Sequence, residues 1–113
     1  MLELRPNCEL CDKDLPPPAT DARICTYECT FCAACVDGVL ENVCPNCGGN
    51  FQPRPIRPAR AWRETTGLVN DPPGDRRLHT PYTREELEAF SADLRDVPPG
   101  ERRSRTARSR RRR

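Results

Sequence analysis

The stretch Cys8-x2-Cys11-x13-Cys25-x3-Cys29-x2-Cys32-x2-Cys35-x8-Cys44-x2-Cys47 holds all eight cysteines of a 113-residue chain. Two sulfurs separated by two or three residues can turn inward onto one tetrahedral ion, so four such pairs supply two sites of four thiolates each. The spacing predicts two zinc ions as cofactors, with Cys8, Cys11, Cys25, Cys29, Cys32, Cys35, Cys44 and Cys47 as ligands.

Outward from this frame there is little else to hold a fold. Most of the apolar residues that could pack together precede residue 52, and Leu2, Leu4, Leu10, Leu15, Ile24, Tyr27, Phe31, Val36, Val39, Leu40, Val43 and Phe51 are the large side chains available for a small core. A core of that size does not offset the conformational entropy of the ordered chain, and metal is expected to supply the difference. The eight cysteines have two other uses. A disulfide framework needs an oxidising compartment, yet Met1-Leu2-Glu3-Leu4-Arg5-Pro6 shows no secretory pattern and no apolar run approaches membrane-spanning length. The chain therefore reads as cytoplasmic, reduced and without a membrane contact. An iron–sulfur cluster is suggested by Cys29-x2-Cys32-x2-Cys35, but that run wants three residues before its last cysteine and here there are eight.

The cysteine segment divides into short pieces. Pro16-Pro17-Pro18 rules out helix and reads as a spacer. Residues Ala22 to Phe31 favour strand, and Cys25 and Cys29, four apart, share a face, so a short hairpin carrying two ligands fits. After Cys35, the positions Val36, Val39, Leu40 and Val43 make one helical face. In Cys44-Pro45-Asn46-Cys47-Gly48-Gly49 the proline fixes the turn and the glycines let backbone N–H groups approach sulfur.

The organisation expected is a two-zinc domain over 1–51, a Pro/Arg-rich linker over 52–81, an amphipathic helix over 82–96 and a disordered Arg-rich tail over 97–113. Thr83 and Glu86 form a capping box, Tyr82 can staple onto Leu87, and Leu87, Phe90 and Leu94 share a face that Val97-Pro98-Pro99-Gly100 ends. Trp62 reads as folding back onto the nearest apolar surface, and His79 as solvated. Residues 1–50 carry net −5 and residues 51–113 net +7. Eight thiolates around two zinc ions make the head more acidic still, so any attraction to nucleic acid must come from the tail. There Arg102, Arg103, Arg105, Arg108, Arg110, Arg111, Arg112 and Arg113 are the candidate contacts, weak and sequence-blind because no aromatic interrupts them.

The ligand order resembles a RING-type cross-brace finger, including its Cys44-Pro45-Asn46-Cys47 ending, with Cys29 where that family usually has histidine. The resemblance implies that Cys8, Cys11, Cys32 and Cys35 hold one zinc and that Cys25, Cys29, Cys44 and Cys47 hold the other. A helix starting at Cys32 to Cys35 could pack on the first knuckle and suits that pairing; spacing alone leaves sequential pairing open. RING fingers recruit ubiquitin-conjugating enzymes through an apolar residue after the first ligand, a tryptophan between the sixth and seventh, and a basic residue after the last. This chain has Glu9, no tryptophan between Cys35 and Cys44, and Gly48. Residues 1–58 also resemble a family of small bacterial proteins known as domain of unknown function 1272. Met1-Leu2-Glu3-Leu4-Arg5-Pro6-Asn7-Cys8, Asp21-Ala22-Arg23-Ile24-Cys25, Glu28-Cys29-Thr30-Phe31-Cys32 and Cys44-Pro45-Asn46-Cys47-Gly48-Gly49 carry that likeness. It implies a zinc-binding head and no activity.

The fold class expected is a small metal-stabilised domain, a RING-like or treble-clef zinc finger with a short hairpin, one short helix and a largely disordered C-terminal extension. The function expected is a structural, non-enzymatic zinc module that meets an unknown protein partner. Weak nucleic-acid binding and a ligase-like adaptor are the alternatives.

Overall fold

A computed structural model describes residues 1–102 of the chain. Strands β1 (Ala22–Ile24) and β2 (Thr30–Cys32) form the expected hairpin, pairing Ala22 with Cys32 and Ile24 with Thr30. Cys25 and Cys29 flank its turn, which Glu28 closes in the left-handed region at φ 68° while its N–H donates to the Cys25 carbonyl. Helix α1 (Ala33–Cys35) follows, with residue 32 as its extended N-cap, and runs on as a π-helical stretch, Val36–Leu40. The sequence periodicity predicts an α-helical face here. The wider turn still buries Val36 and Leu40, and Glu41 and Asn42, both left-handed, send their N–H groups back to the Val36 carbonyl. That double reversal brings Val43 and Cys44 straight back under the helix.

Phe31 and Phe51 meet edge to face, with centroids 5.4 Å apart, at the centre of a core completed by Leu15, Val36, Leu40 and the buried cysteines. Tyr27 is instead 71% exposed at the hairpin tip.

The segment 52–81 is not the free linker that its prolines suggest. Strand β3 (Gln52–Pro53) pairs antiparallel with β1, giving the order β2-β1-β3. The N–H of Arg54 donates to the Ala22 carbonyl, so the alternation of the ladder turns the ring nitrogen of Pro53 away from β1 and no sheet bond is lost. Beyond β3 the chain lies against the head. Arg57 donates to the Leu2 carbonyl, Arg76 pairs with Glu3, and Arg77 bridges Asp12 and Asp14. Backbone joins them: Gly74 N–H meets the Leu4 carbonyl and Thr80 N–H meets that of Glu9. Arg76 and Arg77 thus meet carboxylates of the acidic head, while Arg57 satisfies a backbone carbonyl. Trp62 lies under the Arg60 guanidinium at 4.8 Å, 69% exposed, and does not fold back; His79 is exposed.

Helix α2 (Arg84–Leu94) starts at the expected capping box, with Thr83 Oγ1 accepting from Glu86 N–H and Glu86 Oε1 accepting from Thr83 N–H. It docks on the head rather than standing alone. Leu87 and Ser91 are buried against the π-helical stretch, and Arg95 pairs with Glu41 at 2.7 Å. Thr83→Ala is expected to cost about 1 kcal/mol of docked helix, read as roughly fivefold faster amide exchange over residues 87–94 with residues 22–32 unchanged.

A 3-10 turn, Pro99–Glu101, follows, and Arg102 donates to the carbonyls of Val97 and Gly48. The described part of the extension, through residue 102, thus lies against the head. The expected tail contacts Arg103, Arg105, Arg108 and Arg110 to Arg113 lie outside the described residues.

Candidate metal centres

Four pieces of chain bring the cysteines together in interleaved fashion. The first knuckle supplies Cys8 and Cys11, and the start of α1 supplies Cys32 and Cys35; their four sulfurs all lie within 4.8 Å of one another. The hairpin turn supplies Cys25 and the last knuckle supplies Cys44 and Cys47, again mutually within 4.8 Å. Zinc–sulfur bonds of ~2.3 Å put tetrahedral neighbours about 3.8 Å apart, and Cys11 and Cys32 stand at 3.8 Å. The grouping is that of the cross-brace, and sequential pairing does not fit it. Cys29 is not within that group. Its thiol hydrogen-bonds with Cys25 and Cys44 and accepts from Asn46 Nδ2 at 3.4 Å, which leaves it beside the three as the candidate fourth ligand.

Backbone N–H groups converge on these sulfurs in a repeated way. Cys8 accepts from Leu10, Cys25 from Tyr27, and Cys44 from Asn46, each two residues on. Cys47 likewise accepts from Gly49. Gly48, at φ 79°, makes the last of these turns possible, since a side chain there would be strained. Such bonds spread the charge of a thiolate and fix its direction. The glycines after Cys47 signalled this role; Asn46 as a side-chain donor to sulfur was not foreseen, although its place inside the Cys-Pro-Asn-Cys knuckle was the clue.

The thiols also perturb one another. Hydrogen bonds from Cys29 and then Cys44 hold Cys25 down to about 3. Cys44 is pushed far up by its bonds to Cys25 and Cys29 and by burial. Burial foremost, then the charge of Cys8, raises Cys35. Each pocket thus gathers sulfur anions and protons that a single divalent cation can replace. An all-sulfur, tetrahedral, largely buried donor set fits zinc.

The surroundings of the first site are polar, and of its four cysteines Cys11 is the exposed one. Glu9, buried, pairs with Arg5 at 2.9 Å and accepts from the Thr30 N–H at 2.7 Å. Asn7 Nδ2 reaches the Leu78 carbonyl, so the extension seals this knuckle.

Fold and site together define a cross-braced, RING-like small domain with two cysteine clusters able to hold metal. The chain belongs to the family described as protein of unknown function (DUF1272), whose model matches residues 1–57. It is similar to an uncharacterized protein, R02474, of Rhizobium meliloti (strain 1021), at 54% identity over 77 residues, 66% of this chain and 92% of the relative. No solved structure matches. No helix among the described residues is long and apolar enough to cross a membrane.

Proposed function

We propose that the chain is a structural zinc module, with two ions each closed by four thiolates, that presents a metal-braced surface to a protein partner in a reducing cytoplasm. The observation that carries this reading is the interleaving of the two clusters: Cys8, Cys11, Cys32 and Cys35 in one, Cys25, Cys44 and Cys47 with Cys29 beside them in the other. A zinc ion closed by four thiolates keeps no position for a catalytic water, which speaks against an enzyme. A ligase-like adaptor is further disfavoured by Glu9. A RING finger needs an exposed apolar side chain there, whereas this carboxylate is turned inward onto Arg5 and Thr30. Nucleic acid is at most a weak partner, since the head is acidic and no aromatic residue interrupts the arginines after Gly100.

Native mass spectrometry of protein purified without added metal tests the reading. Two zinc ions per chain with eight reduced, metal-protected thiols are expected. One ion, iron absorbance, or disulfides in place of free thiols would each overturn it.

A further inference from the structure

Helix α2 occupies a surface that belongs to the head. The surface consists of the π-helical stretch Val36–Leu40, Glu41 and the Pro45–Gly48 side of the last knuckle, all within residues 1–57, where the family model matches. The helix that covers it, Arg84–Leu94, lies outside that segment. The covered face therefore lies inside the segment that the family model matches, and its cover lies outside it.

The cover is held thinly. Leu87 is the one large apolar side chain of α2 that is fully buried, at 1% exposure; Phe90 and Leu94 are only partly buried. Gly48 offers no side chain to meet them: a Cβ there would stand 3.4 Å from Leu94 Cδ1 and 3.9 Å from Phe90 Cζ. Between helix and knuckle remains a hollow of about 290 Å³, lined by Pro45, Tyr82, Glu86, Leu87 and Phe90. The polar anchors are the exposed pair of Arg95 with Glu41, supported by Ser91 Oγ, and, beyond the helix, Arg102 on the Gly48 carbonyl. An eleven-residue helix is marginal once undocked. Its departure need not disturb the segment before it, which is tied separately to the first knuckle through Arg77, Leu78 and Thr80.

We propose that this face is a helix-receiving interaction site, that α2 is its resident ligand in cis, and that the partner is an amphipathic helix that displaces α2. The chemistry of that helix is read from α2 itself: large apolar residues at the spacing of Leu87, Phe90 and Leu94, and a cation in the place of Arg95 opposite Glu41. A partner side chain larger than those of α2 also has the unfilled hollow beside Pro45 to enter. The proposal rests on the reading of the head as a metal-held binding module and adds where it binds and what.

The test uses the full chain loaded with zinc and a fluorescent peptide of residues 81–98 as the probe. Ala89 is on the exposed side of α2, so Ala89→Pro breaks the helix without altering the face. A tethered competitor acts at an effective concentration of order millimolar, so the peptide should bind Ala89→Pro at least about tenfold more tightly than wild type. Adding Glu41→Lys should abolish the gain, and a peptide carrying Arg95→Glu should restore it. Equal binding to wild type and Ala89→Pro, or no rescue by the reversed pair, overturns the proposal. Metal is counted in each variant. If Ala89→Pro loses its zinc, α2 is an integral part of the head and not a displaceable ligand, and the proposal fails while the zinc reading stands. If the wild type itself holds no zinc, it is the zinc reading that fails.

Discussion

Replacing Cys8 by serine is expected to remove both metal ions and unfold the whole head, not half of it. Cys8 is fully buried and accepts N–H groups from Leu10, Cys11 and Cys32. A hydroxyl is a harder, poorly ionised ligand on a bond that does not reach. A structural zinc site contributes an apparent ~10–16 kcal/mol, as much as the ~5–15 kcal/mol net stability of an entire domain, so a crippled site leaves nothing in reserve. The interleaving sets the form of the loss. Cys25 and Cys29 of the second cluster lie between Cys11 and Cys32 of the first, and Cys35 leads through eight residues to Cys44. Neither pocket can open without dragging the other's ligands. Titration of the wild type with a chelator should therefore show one transition releasing two ions. Amide exchange of Cys8→Ser should show no protected residues from 22 to 53. A Cys8→Ser protein that keeps one ion and a protected hairpin would show the sites to be independent.

Arg54→Met is the second large effect, expected to cost about 3 kcal/mol. The Arg54 guanidinium is 4% exposed and faces no carboxylate. It donates to the carbonyls of Arg5, Leu15 and Pro16 at 2.9, 3.1 and 3.0 Å, tying the N-terminal arm and the proline spacer to the end of β3. Burial lowers its pKa, without approaching neutrality for an arginine. Methionine keeps much of the stem but strands three carbonyls, and bonds to a charged donor contribute ~1.5–3 kcal/mol each before compensation. At ~4–8 °C per kcal/mol for a domain of this size, the midpoint of thermal unfolding of the two-zinc form should fall by roughly 12–24 °C. Arg54→Lys should fall in between, since one ammonium cannot span three acceptors. A shift within 2 °C for Arg54→Met would mean that water replaces the guanidinium at no cost.

The head was legible because its determinants are local. Cysteine spacing, proline and glycine in the knuckles, and strand formers around Cys25 and Cys29 each act within a few residues, and the resemblance to RING fingers carried the pairing. The capping box at Thr83 and Glu86 was legible for the same reason. The fate of residues 52–81 was not. Proline content reports only which backbone conformations are allowed, and an extended segment is the same in a linker as in a strap. The long-range signal was present as charge: an acidic first half and a basic second half. It took the structure to show that Arg76, Arg77 and Arg95 spend that asymmetry on Glu3, Asp12, Asp14 and Glu41. The π-helical stretch was likewise invisible, because Val36, Val39, Leu40 and Val43 satisfy an α-helical period just as well.

The small sheet also governs how the molecule behaves when crowded. A three-stranded sheet has two open margins, each a template on which a neighbouring chain can add a strand and begin a fibril. Here both are closed. The margin of β2 is already engaged by Glu9, whose N–H meets the Thr30 carbonyl and whose carboxylate takes the Thr30 N–H, while Cys32 N–H is spent on the Cys8 sulfur. The margin of β3 presents Pro53, which has no hydrogen to offer. Polymerisation by strand addition is blocked on both sides as long as the first knuckle stays in place. Loss of metal at that knuckle would withdraw Cys8 and Glu9 together and open the margin of β2 to strand addition.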